Sequence, residues 1–570
     1  MKIAHHVFWG PNPYSDRPCV AFRLQECARE EAVRALSAYV KLRSILYRLP
    51  GFPAEPDPGP PSDFEALFVD LPRLVLPLLN HVRGELTQGG GESGRGAPVI
   101  FIEFHHPDLV RRALRILIDF LLDGSEDRAT TLHGSLESLW QDTHAHHPDF
   151  QAHALIASAR ARGIHYANVG RKLWCYGIGR RSRTFFETSP VEDLAHGIKT
   201  DKLSGKHLFE SVGAPTARYR VLRSRSELDD AVREIGFPCV IKPVHAGGGR
   251  GVTANIRCPA QIDFAYREAL RHCKDEPLLM VEEHIEGRDH RLLFVQGIFV
   301  GCASSVAPSV TGDGRRSIGE LIDAINAGRT RNLYASGYLR PIKTDAAMHE
   351  ALAVQGLARD SVPAPGQTVI LRRNTNLGGG GFSELFEQVD PEVVGIAARI
   401  AAKSELYSVG IDYITRDIRA TPAASGGRFT ELNKMPGVPL FLAAGFDVAT
   451  LGDRFLGDGI GNIPVILSIR TREDLARARP ARPGPGVVVL QSAEGSPADH
   501  AWPGPWFRDL IAGVMRDRRL ERILIIAELE RIEAHGFPVG CLSKVIVGPG
   551  CRTRTIEATV ARLRCEVVFD

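Results

Sequence analysis

The ten cysteines of this 570-residue chain form no CxxC pair. A disulfide framework or a cysteine zinc centre is therefore not expected. Scattered single thiols in a large chain read as small buried hydrophobes in a reducing cytosol. No run of 18 apolar residues occurs, so no membrane span is expected. The opening MKIAHHVFWGPNPYS lacks the long apolar core of a secretion signal, and the expected location is cytoplasmic. Net charge is only +3, too weak to argue for a nucleic-acid or membrane partner. No Gly-Lys-Ser or Gly-Lys-Thr triplet is present, which removes the P-loop as a way of holding phosphate. No internal repeat is visible.

What remains is an ordinary globular composition, 44% hydrophobic and 24% charged, long enough for several domains. Two stretches, PGFPAEPDPGPP (50–61) and TQGGGESGRGAP (87–98), read as exposed loops. Between them FEALFVDLPRLVLPLLNHVRGEL has helical apolar spacing. APVIFIEF (97–104) reads as a short strand and LVRRALRILIDFLLDG (109–124) as an amphipathic helix with a glycine stop. KLSGKHLFESVG predicts a helix ending at Gly213, and ARYRVL a strand. Ser226 is placed to cap the helix that Gly236 closes. Near the end, GVVVLQS, LERILIIAEL and LSKVIVGP read as apolar strands after a proline-rich stretch, 478–486. The expected fold class is mixed α/β (α+β). The expected domains are 1–160, 161–465 and a small α/β unit over 466–570.

Three pieces carry chemistry. In CVIKPVHAGGGRGVTANI, Lys242 ends a strand that runs into Gly247, Gly248, Gly249, Arg250 and Gly251. Glycines let backbone N–H groups approach an anion, and a lysine adds a point charge. In LLMVEEHIEGRDHRLLFVQG, a strand leads to Glu282, Glu283 and Ile285, with Asp289 further on. Such a segment can offer backbone groups and carboxylates to a base edge and a ribose. In YSVGIDYITRDI and GGRFTELNKMPG, Asp412 sits inside an apolar strand, while Glu431 and Asn433 alternate and share one strand face. A lone buried acid is costly, and oxygen ligands of this kind suit Mg²⁺, which uses few carboxylates plus substrate phosphates. Solvated acids at a strand end and a salt-bridged structural acid are the competing readings. The histidine-rich THAHHPDF and FHHPDL lack the spacing with acids that a metal site needs, and Cys175 reads as a packed thiol.

Taken in order, TDKLSGK, VIKP, the glycine loop, VEEHIEG, GID and ELN resemble the ATP-grasp ligases. The stretches 179–222, 305–327, 357–381 and 391–414 resemble the ATP-grasp part of the cyanophycin synthetases, and 9–24 resembles their N-terminal opening. The resemblance implies an ATP-grasp core of two α+β subdomains around a nucleotide. It implies that Lys202 and Lys242 contact phosphates, with Lys206 as a nearby alternative. Glu282 and Ile285 would hold adenine, Asp289 ribose, and Asp412, Glu431 and Asn433 would bind Mg²⁺, with Mn²⁺ as the alternative ion. It raises Arg291, Arg372 and Asn374 above ordinary surface residues as catalytic candidates, since guanidinium groups pair well with phosphate and carboxylate. The implied activity joins an amino-acid or peptide carboxylate to an amine through an acyl-phosphate, releasing ADP and phosphate, in a possible homo-oligomer. Two departures stand out. Gly378–Gly381 replace the family's Ser-Thr-Gly-Gly, and residues 466–570 hold no Mur-ligase-like part with a second phosphate loop. A ligase making a small natural-product amide and a non-catalytic ATP- or peptide-binding relative are the alternatives.

Overall fold

The computed structural model describes residues 1–49, 52, 59–81, 86–93, 96–123, 125, 127–170, 172–195, 202–246, 249–273, 278–327, 329, 339–372, 380–477, 485–491 and 513–570. Its contacts divide the chain into two units. One combines Met1–Thr184 with Leu456–Asp570, and the other combines Phe185–Arg331 with Gly337–Phe455.

In the first unit, an antiparallel sheet runs in the order Lys2–Phe8, Cys19–Glu26, Val99–Glu103, Gly89–Glu92. The helices Arg29–Leu46, Phe64–Asn80 and Pro107–Leu122 bury their apolar faces in one core with Val20, Phe22, Ile100 and Ile102. The glycine-rich segment expected to be an exposed loop thus supplies an edge strand. A Cβ on Gly89 would stand 2.7 Å from Leu76 Cδ1, and one on Gly91 would stand 2.9 Å from Val69 Cγ1. The strand passes so close under the helix Phe64–Asn80 that only glycine fits.

The same unit holds a five-stranded parallel sheet in the order Val487–Gln491, Arg522–Glu528, Val465–Arg470, Lys544–Val547, Glu566–Phe569. Its central strand, Val465–Arg470, and its last are the two the sequence reading did not single out. Val465, Leu467 and Ile469 are fully buried, as a central parallel strand requires. Phe537 N donates to Pro11 O at 2.8 Å, which ties this sheet's connections to the N-terminal segment.

The second unit has two larger antiparallel sheets and a two-stranded one among its described residues. One runs Thr253–Ile256, Cys239–Pro243, Leu279–Glu283, Tyr219–Leu222. The helices Leu228–Ile235 and Ile262–Arg271 cover its Cys239, Ile241 and Val281 face. A short 3-10 turn, Arg225–Glu227, precedes the first of these helices, so its cap is Glu227 and not Ser226. Ser226 instead bonds Ser224 through the hydroxyls at 2.8 Å, an option open to any serine near a tight turn. Gly236 ends that helix at φ +84°, and Gly213 follows Lys202–Ser211 at φ +66°, both as expected.

The other sheet runs Phe382–Phe386, Ile298–Val306, Arg288–Val295, Ser408–Thr415, Arg428–Asn433. The helix Pro391–Ser404 packs on its Leu292, Cys302 and Ile411 face. Asp390 caps that helix by accepting from Glu392 N and Val393 N. A two-stranded antiparallel pair, Ser309–Thr311 with Thr368–Ile370, forms a third small core with the helices Ile318–Ala327 and Ala346–Val354 that lie between its strands in sequence.

Candidate functional site

Strand alternation sorts the acids and lysines before any contact is measured. Val240 pairs with Glu282 and Lys242 with Met280, so Lys242 and Glu282 share the sheet face turned away from the covering helices. Glu283 falls on the opposite face, where its carboxylate meets Arg218 Nε at 3.3 Å. The adjacent acids therefore have different roles, and only Glu282 faces the site.

Glu282 is 4% exposed and forms ion pairs with both Lys206 and Lys242. Burial alone would raise its pKa, but Lys242 and Lys206 outweigh that and hold it below the usual carboxylate value. Lys206, on the helix Lys202–Ser211, has no exposed surface at all. Its Nζ also donates to Thr216 Oγ1 at 2.8 Å and lies 5.7 Å from the centre of the Tyr219 ring. Lys202, one helical turn earlier, donates from Nζ to Ala246 O and stands 3.9 Å from Glu431 Oε1.

On the larger sheet, Arg291, Asp412 and Glu431 occupy one row across three neighbouring strands. Arg291 Nε and Nη2 both donate to the Asp412 carboxylate, the latter at 3.1 Å, and Nη1 donates to Pro436 O at 2.9 Å. Asn433 Nδ2 donates to Asp412 Oδ2 at 3.1 Å. Gly410 makes room for this: a Cβ there would stand 2.7 Å from Arg291 Cδ and 3.0 Å from Pro436 Cα. The glycine of the GID motif is thus a cradle for the arginine stem, a role the sequence reading did not assign. Thr216, which bridges Lys206 and Phe429 O through its hydroxyl, was also missed, because nothing in its local sequence marks it.

The carboxylates repel. Glu431 has its pKa raised by burial and by Asp412, against the pull of Lys202, Lys242 and Arg291. Asp289, two residues before Arg291 on the same strand, is exposed. The crowd of protein atoms around it, then the nearby Asp412 charge, push its pKa up despite Arg291. Two enclosed carboxylates and an amide, with a third carboxylate close by, make a donor set that fits a hard divalent cation and leaves positions for phosphate oxygens. Among the described residues no three His, Cys, Asp or Glu are already arranged around a metal position. The candidate set is of another kind: two carboxylates and Asn433.

The expected site residues thus divide. Lys202, Lys206, Lys242, Glu282, Asp289, Arg291, Asp412, Glu431 and Asn433 are linked by ion pairs, hydrogen bonds or mutual electrostatics. Arg372 pairs with Asp345 instead, and Ile285 and Glu283 lie outside the linked set. Gly249 and Gly251 adopt φ of +73° and +69°, so the loop beyond Lys242 needs glycine there, and Arg250 between them is exposed. Gly248 and Asn374 lie outside the described residues.

The ATP-grasp domain family matches residues 207–289, from within the Lys202–Ser211 helix to Asp289. Cyanophycin synthetase of Trichormus variabilis is 28% identical over 342 residues, covering 58% of this chain and 37% of that protein. The cyanophycin synthetase of Crocosphaera subtropica is 31% identical over 294 residues, 51% of this chain and 34% of that protein. A bifunctional glutathione biosynthesis protein of Desulfotalea psychrophila is 29% identical over 240 residues, 42% of this chain and 31% of that one. Residues 207–289 thus match the ATP-grasp domain family and the chain resembles cyanophycin synthetase, while it spans about a third of the length of these curated relatives.

Proposed function

We propose that this chain is an ATP-dependent carboxylate–amine ligase acting on amino acids or peptides. The observation that carries the reading is the row Arg291–Asp412–Glu431, with Lys202 and Lys242 acting on the same Glu431 carboxylate. Cations and cation-seeking carboxylates interleaved in one place suit a polyphosphate with a divalent ion. The likeness to cyanophycin synthetase and to the glutathione biosynthesis protein supports the class of bond. Residues 161–465 would hold the ligase chemistry, flanked by domains over 1–160 and 466–570.

Asp412, Glu431 and Asn433 would hold Mg²⁺ or Mn²⁺, whose charge offsets that of the transferring phosphoryl group. Lys202 and Lys242 would contact phosphate oxygens, with Lys242 turned from Glu282 toward them. Arg291 would keep Asp412 oriented and add positive charge beside the reacting phosphate. A substrate carboxylate oxygen would attack the γ-phosphorus, and ADP would leave. The acyl-phosphate formed is open to water, so the glycine loop beyond Lys242 is suited to covering it. An amine would then attack the acyl carbon, phosphate would leave, and the amide nitrogen would lose its extra proton.

The test is product analysis while amino acids and short peptides are screened with ATP and Mg²⁺. ADP and phosphate released in equal amounts, dependent on an added carboxylate and amine, are expected. AMP and pyrophosphate as products would end this reading.

A further inference from the structure

In the second unit, Phe185 pairs with Pro190 and Phe186 with Ser189, so Glu187 and Thr188 form the tip of a tight hairpin. Glu187 takes φ +55°, a left-handed conformation that glycine usually supplies in such a turn. Thr188 and Ser189 have no exposed surface, and Asp193, soon after them, is buried too.

Hydrogen bonds carry this hairpin onto the larger sheet. Ser408 Oγ donates to Thr188 O at 3.0 Å, and Tyr407 N donates to Asp193 Oδ2 at 2.8 Å. Both fasten the start of the strand Ser408–Thr415, well before Asp412. The bond from Ser189 lands elsewhere. Its Oγ donates to Lys434 O at 2.7 Å, on the residue that follows Asn433. Asn433 is the last residue of its strand and pairs with Gly410. Just beyond it, Arg291 Nη1 donates to Pro436 O at 2.9 Å, and Gly437 turns the chain at φ +77°. The exit from Asn433 is therefore held by its carbonyls, at Lys434 by Ser189 and at Pro436 by the arginine of the site.

A fully buried hydroxyl is costly unless it is bonded, and alanine would fill the same place without that cost. The strand ladder ends at Asn433, so beyond it the backbone takes its direction from side-chain bonds such as these. Asn433 Nδ2 is already given to Asp412 Oδ2, which leaves its Oδ1 as the atom for a cation.

We propose that Ser189 is a positioning residue for the cation site: by holding Lys434 O it fixes the peptide after Asn433, and with it the aim of Asn433 Oδ1. This rests on the ligase reading, which sets Mg²⁺ or Mn²⁺ on Asp412, Glu431 and Asn433. Ser189 touches no reacting atom. Its loss leaves both carboxylates in place and loosens the amide ligand, so the cation is held less tightly while nucleotide contacts away from the ion persist.

ADP is titrated calorimetrically into the full-length protein over a Mn²⁺ series, which reads the cation through the gain in ADP affinity that it brings. One hydrogen bond sets the scale, so Ser189→Ala should cut that gain about fivefold and leave ADP binding without Mn²⁺ unchanged. Ser408→Ala removes an equally buried hydroxyl bond to the same hairpin, away from any proposed ligand, and should keep the gain within about twofold. Ser189→Cys keeps the volume with a weaker donor and should fall between. An undiminished gain in Ser189→Ala, or the same loss in Ser408→Ala, overturns the inference. Should Ser189→Ala not fold, Ser189→Cys against Ser408→Ala decides it. A gain that Glu431→Gln removes but Ser189 does not affect sinks the positioning role alone. Wild-type protein that binds no ADP, or binds it with no gain from Mn²⁺, sinks the ligase reading itself.

Discussion

Arg291 grips Asp412 through two guanidinium nitrogens from the directly opposing position on the neighbouring strand. Asp412 in turn stands opposite Glu431. The arginine therefore neutralises one of two like charges forced together by sheet register. That is how a strand as apolar as Ser408–Thr415 tolerates an acid at its centre. On the proposed reading, Asp412, Glu431 and Asn433 are a preassembled, charge-strained set that an arriving divalent ion would relieve.

The Glu431→Gln variant tests that assignment. Turnover should fall on the order of a hundredfold or more, because the ligand's negative charge and one of its two oxygens are removed. Stability should hold or rise, since burial and Asp412 both disfavour the ionised Glu431. Initial rates across a Mg²⁺ series, with urea midpoints, provide the check. Unchanged activity and unchanged Mg²⁺ dependence would exclude Glu431 as a ligand.

Lys206 and Lys242 share one carboxylate but should fail differently. Lys206→Met leaves Glu282 half-paired in a fully buried place, and removing one partner of such a pair costs about 3–5 kcal/mol. Lys242→Met should chiefly weaken nucleotide binding, because Lys242 stands at the mouth of the glycine loop. Glu282 titrates below its ordinary value, so its contribution is complete above the unfolded carboxyl pKa and is lost as pH falls through the folded one. With Lys206 gone the folded value rises, and acid unfolding should begin at higher pH. Equal loss of stability in both variants would remove the distinction.

Much of this site was legible because its parts are local. Lysine at a strand end, alternation of Glu431 with Asn433, and an acid in an apolar strand each follow from a few neighbouring residues. Register is not local, so the pairing of Asp412 with Arg291 across 121 positions could not be read. Nor could the inward and outward turns of Glu282 and Glu283 be assigned until the sheet's covered face was known. The strand Gly89–Glu92 was hidden for a related reason: its glycines answer to Leu76 and Val69 on a helix above, not to a turn.

The first unit should be acid-labile through its histidines. Burial pushes the His81 pKa down to about 4, and burial with Arg160 and His153 takes His105 to about 3. Both stay neutral in the fold, while the unfolded chain takes up protons below about pH 6.5. The unfolded state then binds more protons, so stability rises with pH between about 4 and 6.5 and is lost as pH falls through that window. For His81 alone the loss from pH 7 to 5 is about 2 kcal/mol. Its ring lies 4.1 Å from that of Trp140, so urea unfolding followed by tryptophan fluorescence reports on it. His81→Phe should flatten the pH dependence, and an equally steep dependence in that variant would refute the assignment.

One nucleotide should bind per chain. Lys202, Lys242, Asp412, Glu431 and Asn433 lie in one unit and act on one another. Phosphate needs backbone donors and a cation held together. The parallel sheet of residues 465–569 shows no such grouping among its described residues. Arg470 is committed to Asp570, Arg472 and Arg531 to Glu528, and Arg552 to Glu557. Its sequence has no Gly-Lys-Ser or Gly-Lys-Thr. That sheet is therefore expected to do no ATP chemistry, and a single bond type should form. Titration with ADP and Mg²⁺ should give a stoichiometry of one, abolished by Lys242→Met and untouched by Arg472→Gln. A second site that survives Lys242→Met would show that the parallel sheet has a catalytic part.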